Sequence, residues 1–213
     1  MNADHFIDAE SIYESEFKQI ISFLIDCYEH MLTAHKNNKI ENNENKIRNR
    51  LFKDYLTSNK IRNSAKLFPC RFECESAEID DNYDEVGYTD IKILTQASLN
   101  ISDAYFIIEC KRIDGKTTLN RKYISDGIMR FIDVKKYPAY YYLNGMLGFI
   151  VDEIDVNKNI GKINALLRGQ FTDASTIDYL KPLKDHVYIS THLTKNKKKL
   201  KLYHIMFDLS EIV

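Results

Sequence analysis

Ala104-Tyr105-Phe106-Ile107-Ile108-Glu109-Cys110-Lys111-Arg112 is an apolar run that ends abruptly in acid-x-base. Its length and its aromatic and β-branched residues read as a buried strand. Successive strand side chains point to opposite faces, so Glu109 and Lys111 share a face while Cys110 points away. A second strand-like segment lies upstream, Gly87-Tyr88-Thr89-Asp90-Ile91-Lys92-Ile93-Leu94, with an acid at its start. A polar turn near Asn100–Asp103 joins the two. A hairpin of this kind brings Asp90 beside Glu109 at one edge of the sheet. Two carboxylates and an amine then converge, a set that can hold a hard divalent cation and activate a water beside a phosphate.

The acid-x-lysine string alone is cheap. Glu16-Phe17-Lys18, Glu44-Asn45-Lys46 and Asp133-Val134-Lys135 also fit it. Those three lie in helical patterns, where residues two apart do not face each other. Asp90-Ile91-Lys92 reads as strand, but its acid comes at the strand start. Only Glu109 and Lys111 close an apolar strand.

Composition narrows the functional classes. A chain of 213 residues can bury a substantial core and is expected to form one domain over 1–213. That domain divides into an N-terminal helix (1–36), a core (44–151) and a C-terminal helix and hairpin (152–213). The formal net charge of -1 gives no global field drawing the protein onto nucleic acid, so any such binding rests on local basic patches. Neither a secretory signal nor an apolar run of transmembrane length is visible, which predicts a cytoplasmic protein without membrane contact. Cys70 and Cys74 lack a second ligand pair at zinc spacing, so reduced thiols are expected.

Residues Ser11 to about Lys36 carry Phe17, Ile20, Ile21, Leu24, Ile25, Tyr28, Met31 and Leu32 at helical spacing. So apolar a helix packs on the domain core or docks a second copy or a partner protein. A second helix starts near Glu44, with Ile47, Leu51 and Tyr55 on one face and Arg48, Arg50 and Lys53 elsewhere. A strand over Leu67–Cys74 and an acidic loop over 75–85 lead to the central pair. A third helix, Arg121 to Lys136, ends at Pro138, and its Gly127 suggests close packing on the sheet. Met146–Val151 reads as a buried strand. Asp155 caps a fourth helix that closes at Gly169, and a hairpin over Val187–Leu193 and Leu200–Leu209 ends the chain. The hairpin turn holds the densest basic patch: Lys195, Lys197, Lys198 and Lys199, then Lys201. Such a run can track a phosphate backbone or simply keep the hairpin edge soluble.

With Asp90, Glu109 and Lys111 in place, the chain resembles the PD-(D/E)XK nuclease superfamily over roughly residues 44–150. Thr89 stands where the name-giving proline would be. The resemblance implies an α/β fold, an α/β/α sandwich with a central mixed sheet flanked by helices, restriction endonuclease-like. It implies Mg²⁺ (or Mn²⁺) held by Asp90, Glu109 and the Cys110 backbone carbonyl, with Lys111 acting on the attacking water. Glu44, with Glu41 as the competing position, matches the additional acid that such proteins bring from the preceding helix. Tyr123 and Arg130 match the helix face that borders nucleic acid there. The implied reaction is phosphodiester hydrolysis, of DNA in the first instance, in a restriction or phage-defence setting. The alternative is a non-catalytic nucleic-acid- or protein-binding subunit of a larger assembly with the same fold.

Overall fold

The computed structural model describes residues 3–79, 85–96, 100–133, 137 and 140–213, with side chains from residue 12 onward except at 79 and 86. Helix α1 spans Ala3–His35. Its stripe of Phe17, Ile20, Leu24 and Met31 is fully buried, as helical spacing requires of a face laid on a sheet. Asn43 then caps α2 (Glu44–Arg50), accepting a hydrogen bond from the Lys46 amide, and α2 runs on through a π-helical turn at Leu51–Leu56. A short helix that the pattern did not reveal, α3 (Asn59–Ser64), follows under a Ser58 cap.

Among the described residues, seven strands form one mixed sheet in the order β1-β2-β3-β4-β7-β6-β5. They are β1 (Cys70–Ile79), β2 (Glu85–Thr95), β3 (Phe106–Ile113), β4 (Leu143–Ile150), β5 (Thr176–Lys184), β6 (Val187–Leu193) and β7 (Lys199–Asp208). The central strands β3, β4 and β7 run parallel, and every other pairing is antiparallel. An all-antiparallel layout is thereby excluded. Between β3 and β4 the chain forms α4 (Thr117–Tyr123), a π-helical turn (Ile124–Ile128) and α5 (Met129–Ile132). After β4, Asp155 caps α6 (Val156–Gly169).

Alternation sorts the sheet into two cores. Phe106, Ile108 and Cys110 of β3 and Leu147 and Phe149 of β4 pack with α1. Ile107 and Ile113 of β3 and Met146 and Ile150 of β4 pack with α4, α5 and α6. Helices therefore cover both faces, and the strands buried between them are apolar almost throughout, as parallel strands are.

Several boundaries differ from expectation. The first strand begins at Cys70 rather than Leu67 and runs to Ile79, so part of the acidic stretch is strand and 80–84 lies outside the described residues. The third helix begins at Thr117 and is described to Ile132; residues 134–136 and Pro138 lie outside the described set. The terminal hairpin is one part of a three-stranded unit. Strand β5, whose Pro182 and mixed polar pattern hid it, adds an irregular outer edge.

Candidate active site

Strand β2 pairs with β3 through Ile93↔Phe106, Lys92↔Ile107 and Ile91↔Ile108, and the ladder then opens. At the opening Asp90 turns its carboxylate into the gap, and Oδ2 accepts the Cys110 amide at 2.7 Å. Strand β3 stays locked to β4 on its other side, Glu109↔Met146 and Lys111↔Gly148. Asp90, Glu109 and Lys111 are thus gathered where a strand is paired on one side only. Gly127 lets the helical layer close over them: a Cβ there would collide with the end of Met146 and lie 3.6 Å from Lys111 Cγ.

Lys111 Nζ sits inside a shell of oxygens. Glu109 Oε1 is at 2.7 Å, the Cys110 carbonyl at 2.8 Å, Glu44 Oε1 at 3.3 Å and Asp90 Oδ2 at 3.9 Å. Glu44, on the first turn of α2, also accepts the Arg112 amide through Oε2 at 2.8 Å. The helix thereby delivers its acid to the strand end.

Three further residues complete the cluster. Arg48, one turn beyond Glu44, pairs with Asp90 Oδ1 and with Glu75 at 2.5 Å. It is 3% exposed, although the helix pattern had placed it off the buried face. The signal that could have found it is the i, i+4 spacing from Glu44. Arg130 Nη1 donates to Glu109 Oε1 at 2.9 Å and to the Tyr137 hydroxyl at 2.9 Å. Tyr137 in turn donates to Glu109 Oε2. No sequence pattern pointed to Tyr137, which lies five residues beyond α5.

Burial pushes the Glu109 carboxyl up to about 7, and nearby Asp90 adds to that, while Lys111 and Arg130 pull the other way. Burial alone would lower Lys111, but Glu109, Glu44 and Asp90 more than reverse it, so the amine stays charged. Burial raises the Tyr137 phenol and the adjoining Glu109 raises it further, which keeps it a donor.

Among the described residues no three His, Cys, Asp or Glu side chains are grouped to hold a metal ion by themselves. The acids here are separated by the ammonium of Lys111, which itself stands in for a cation. Its neighbours, carboxylates and a backbone carbonyl, are the hard oxygen donors that Mg²⁺ takes. In that sense the donor set fits the group that the resemblance implies.

One expected nucleic-acid contact needs correction. Tyr123 is fully buried, and its hydroxyl bonds His204 Nδ1 at 2.9 Å, so it has no surface to offer a ligand. Lys195 is exposed, but its ammonium is 2.7 Å from Asp133. Lys197, Lys198 and Lys199 are exposed at the hairpin turn. Arg130 does border the site, though as a partner of Glu109. The rival string on β2 shares its acid, Asp90, with the site, but its lysine is engaged elsewhere: the Lys92 ammonium lies 3.6 Å above the Tyr105 ring, and Glu78 is 3.6 Å from it. No family model, curated protein or solved structure matches the chain.

Proposed function

We propose that this protein is a metal-dependent nuclease of the PD-(D/E)XK kind, hydrolysing phosphodiester bonds, with DNA as the first substrate to test. The observation that carries the reading is the opened β2–β3 ladder. There Asp90, Glu109, Glu44 and the Cys110 carbonyl crowd around one lysine ammonium. An apolar strand has no structural need for so many acids at its end. Like charges this close repel unless cations lie among them, and such perturbed groups cluster at functional sites.

Asp90, Glu109 and the Cys110 carbonyl are the residues that would hold Mg²⁺ or Mn²⁺. Bound there, the ion supplies Lewis acidity and lowers the pKa of a coordinated water. Lys111 orients the attacking water and offsets negative charge that grows on the phosphate oxygens. Arg48 fixes Asp90 by its outer oxygen, so that Oδ2 keeps its aim at the strand end. Glu44 holds Lys111 from the helix side. Arg130 offers a guanidinium whose forked donors suit a phosphate as well as Glu109.

A second reading has one observation in its favour. Glu109 is 0% exposed, with donors already on both oxygens, as in a closed ion cluster that serves only stability. On that reading the chain is a non-catalytic binding subunit. Incubation with plasmid, linear and single-stranded DNA, and with RNA, in Mg²⁺, Mn²⁺ or EDTA separates the two, with Lys111→Ala run beside the wild type. Cleavage that needs metal and vanishes in the variant supports the nuclease. Equal nicking by both proteins, or none by either, sinks it.

A further inference from the structure

A cavity of about 280 Å³ adjoins the ion cluster, between the α5 end and the β6–β7 turn. Its size sits just below the roughly 300–1,000 Å³ usual for small-molecule sites, which suits a single ring system with a small substituent. Met129, Ile132 and Leu193 give it apolar surface. Ser125, Asp173, Ser175 and Thr194 give it hydrogen-bonding edges. Arg130 and Lys195 add two cations, and Asp133, which also lines the cavity, pairs with the Lys195 ammonium at 2.7 Å. The backbone ties the walls together, since the Lys195 amide donates to the Ile132 carbonyl at 3.1 Å.

Arg130 belongs to both places. Its Nη1 is 2.9 Å from Glu109 Oε1, and the same side chain lines the cavity. Among the described residues only Nη1 of its guanidinium makes a hydrogen bond, so other N–H donors remain for a second anion. A group seated in the cavity would therefore lie one guanidinium away from the proposed reacting centre. Apolar walls accept the faces of a flat heterocycle, and hydroxyls and a carboxylate read its edge. The remaining donors of Arg130 fit the phosphate attached to that heterocycle.

We propose that this cavity is a nucleotide subsite: it takes one unstacked nucleobase, with the attached 5′-phosphate on Arg130. The inference rests on the nuclease reading for its biological sense, but not for its test. It deepens that reading by making the substrate one whose nucleotide can leave a stack, a single strand or a frayed or flipped position.

The test is equilibrium binding in EDTA of the nucleoside 5′-monophosphates, of inorganic phosphate and of the free nucleosides. The proteins are wild type, Ser125→Trp and Asp173→Trp, which fill the cavity from two exposed rim positions, and Ser64→Trp, an exposed control on α3. Thermal melts confirm that each is folded. At least one monophosphate should bind at least tenfold more tightly than inorganic phosphate. Both rim variants should lose at least tenfold, and Ser64→Trp should match wild type. No binding at millimolar monophosphate, equal affinity for inorganic phosphate, or full binding by both folded rim variants overturns the subsite. Cleavage assays with Mg²⁺ on the same samples keep the two ideas apart. Monophosphate binding without cleavage leaves the subsite and removes the nuclease, whereas cleavage without monophosphate binding does the reverse.

Discussion

Glu109 and His204 stand at one level of the sheet, in register through Met146 on the strand between them, yet they belong to opposite kinds of polar network. On the Glu109 side the groups are charged. Glu44, Asp90 and Glu109 are interleaved with Arg48, Lys111 and Arg130. On the His204 side the groups are neutral and fully buried. Tyr123 OH, His204, Ser190 and His192 form one file that ends on the Ala174 carbonyl. A carbonyl can only accept, so His192 Nδ1 carries the proton and His192 Nε2 accepts from Ser190. Ser190 Oγ then accepts from His204 Nε2–H, which leaves His204 Nδ1 to accept from Tyr123. Every group finds its complement, and burial holds both rings neutral, His192 at about 4 and His204 well below its usual value.

The difference separates a staple from a site. A saturated neutral file ties α4, β7, β6 and the turn before β5 together and has no valence left for a ligand. A cluster of interleaved charges costs desolvation, and fold stability alone rarely favours it over apolar packing. Two single substitutions break or sharpen that contrast. Lys111→Ala should lower metal-dependent cleavage by on the order of a hundred- to a thousandfold, as loss of one donor to a developing charge does. Ser190→Ala should leave cleavage within a few-fold. Steady-state cleavage by both proteins, with unfolding followed by circular dichroism, decides the matter. A Lys111→Ala protein that loses only stability would place both networks in the structural class.

Ser190→Ala carries the next largest effect, on stability. It strands the His204 Nε2–H donor and the His192 Nε2 acceptor inside the core at once. Each buried orphan costs about 1–3 kcal/mol, so urea unfolding should show a loss of roughly 2–6 kcal/mol. A loss under about 1 kcal/mol would mean that the file is slack.

Acid should find the neutral file as well. The folded state depresses both histidines, so between about pH 6.5 and about 4 the unfolded chain binds the extra protons. The histidine contribution is therefore full above the unfolded histidine range and falls as pH drops through that window, while Glu109, raised to about 7, gains stability over the same fall and offsets about one ring. The slope approaches about 1.4 kcal/mol per pH unit for each ring. Urea unfolding at pH 7 and at pH 5 measures it. His192→Gln should lower the slope by one ring's share, about 1.4 kcal/mol per pH unit, and an unchanged slope would show that other groups set the acid limit.

The two networks were unequally legible in the sequence. Glu109 and Lys111 could be read because a strand alternates its faces and because an apolar run that ends in charge is conspicuous. Asp90 followed from the hairpin, a local feature, and Glu44 from the resemblance, which placed an acid on the helix before the sheet. Arg48 was missed because its burial depends on Asp90 and Glu75, forty-two and twenty-seven residues away. Tyr123 was misread for the converse reason. A helix residue's partner across a sheet cannot be deduced from the helix, and His204 lies eighty-one residues on. Strand β5 was missed because an irregular edge strand with one covered face has little periodicity to show. Local period and punctuation survive in sequence, whereas pairings across the sheet do not.

Tyr123→Phe gives the smallest effect and the sharpest view of the file's direction. The substitution keeps the buried ring and removes one hydroxyl, so His204 Nδ1 loses its donor while every other bond remains. One orphaned acceptor should cost about 1 kcal/mol, less than the pair stranded by Ser190→Ala. The sign of its pH dependence follows from the polarity derived above. Tyr123 donates to the neutral ring and so favours the unprotonated form; without it the folded His204 titrates closer to the unfolded value, so its acid-dependent loss of stability ends at a higher pH and is smaller than in wild type, the onset being set by the unfolded chain. If the file ran the other way, His204 Nδ1 would carry the proton and Tyr123 would accept it. Removing that acceptor would then disfavour protonation, and the acid-dependent loss would extend to lower pH and grow. Imidazole ¹⁵N spectra read the same question directly: protonated Nδ1 on His192 with protonated Nε2 on His204 agrees with the staple as derived, and the opposite tautomers would reverse it.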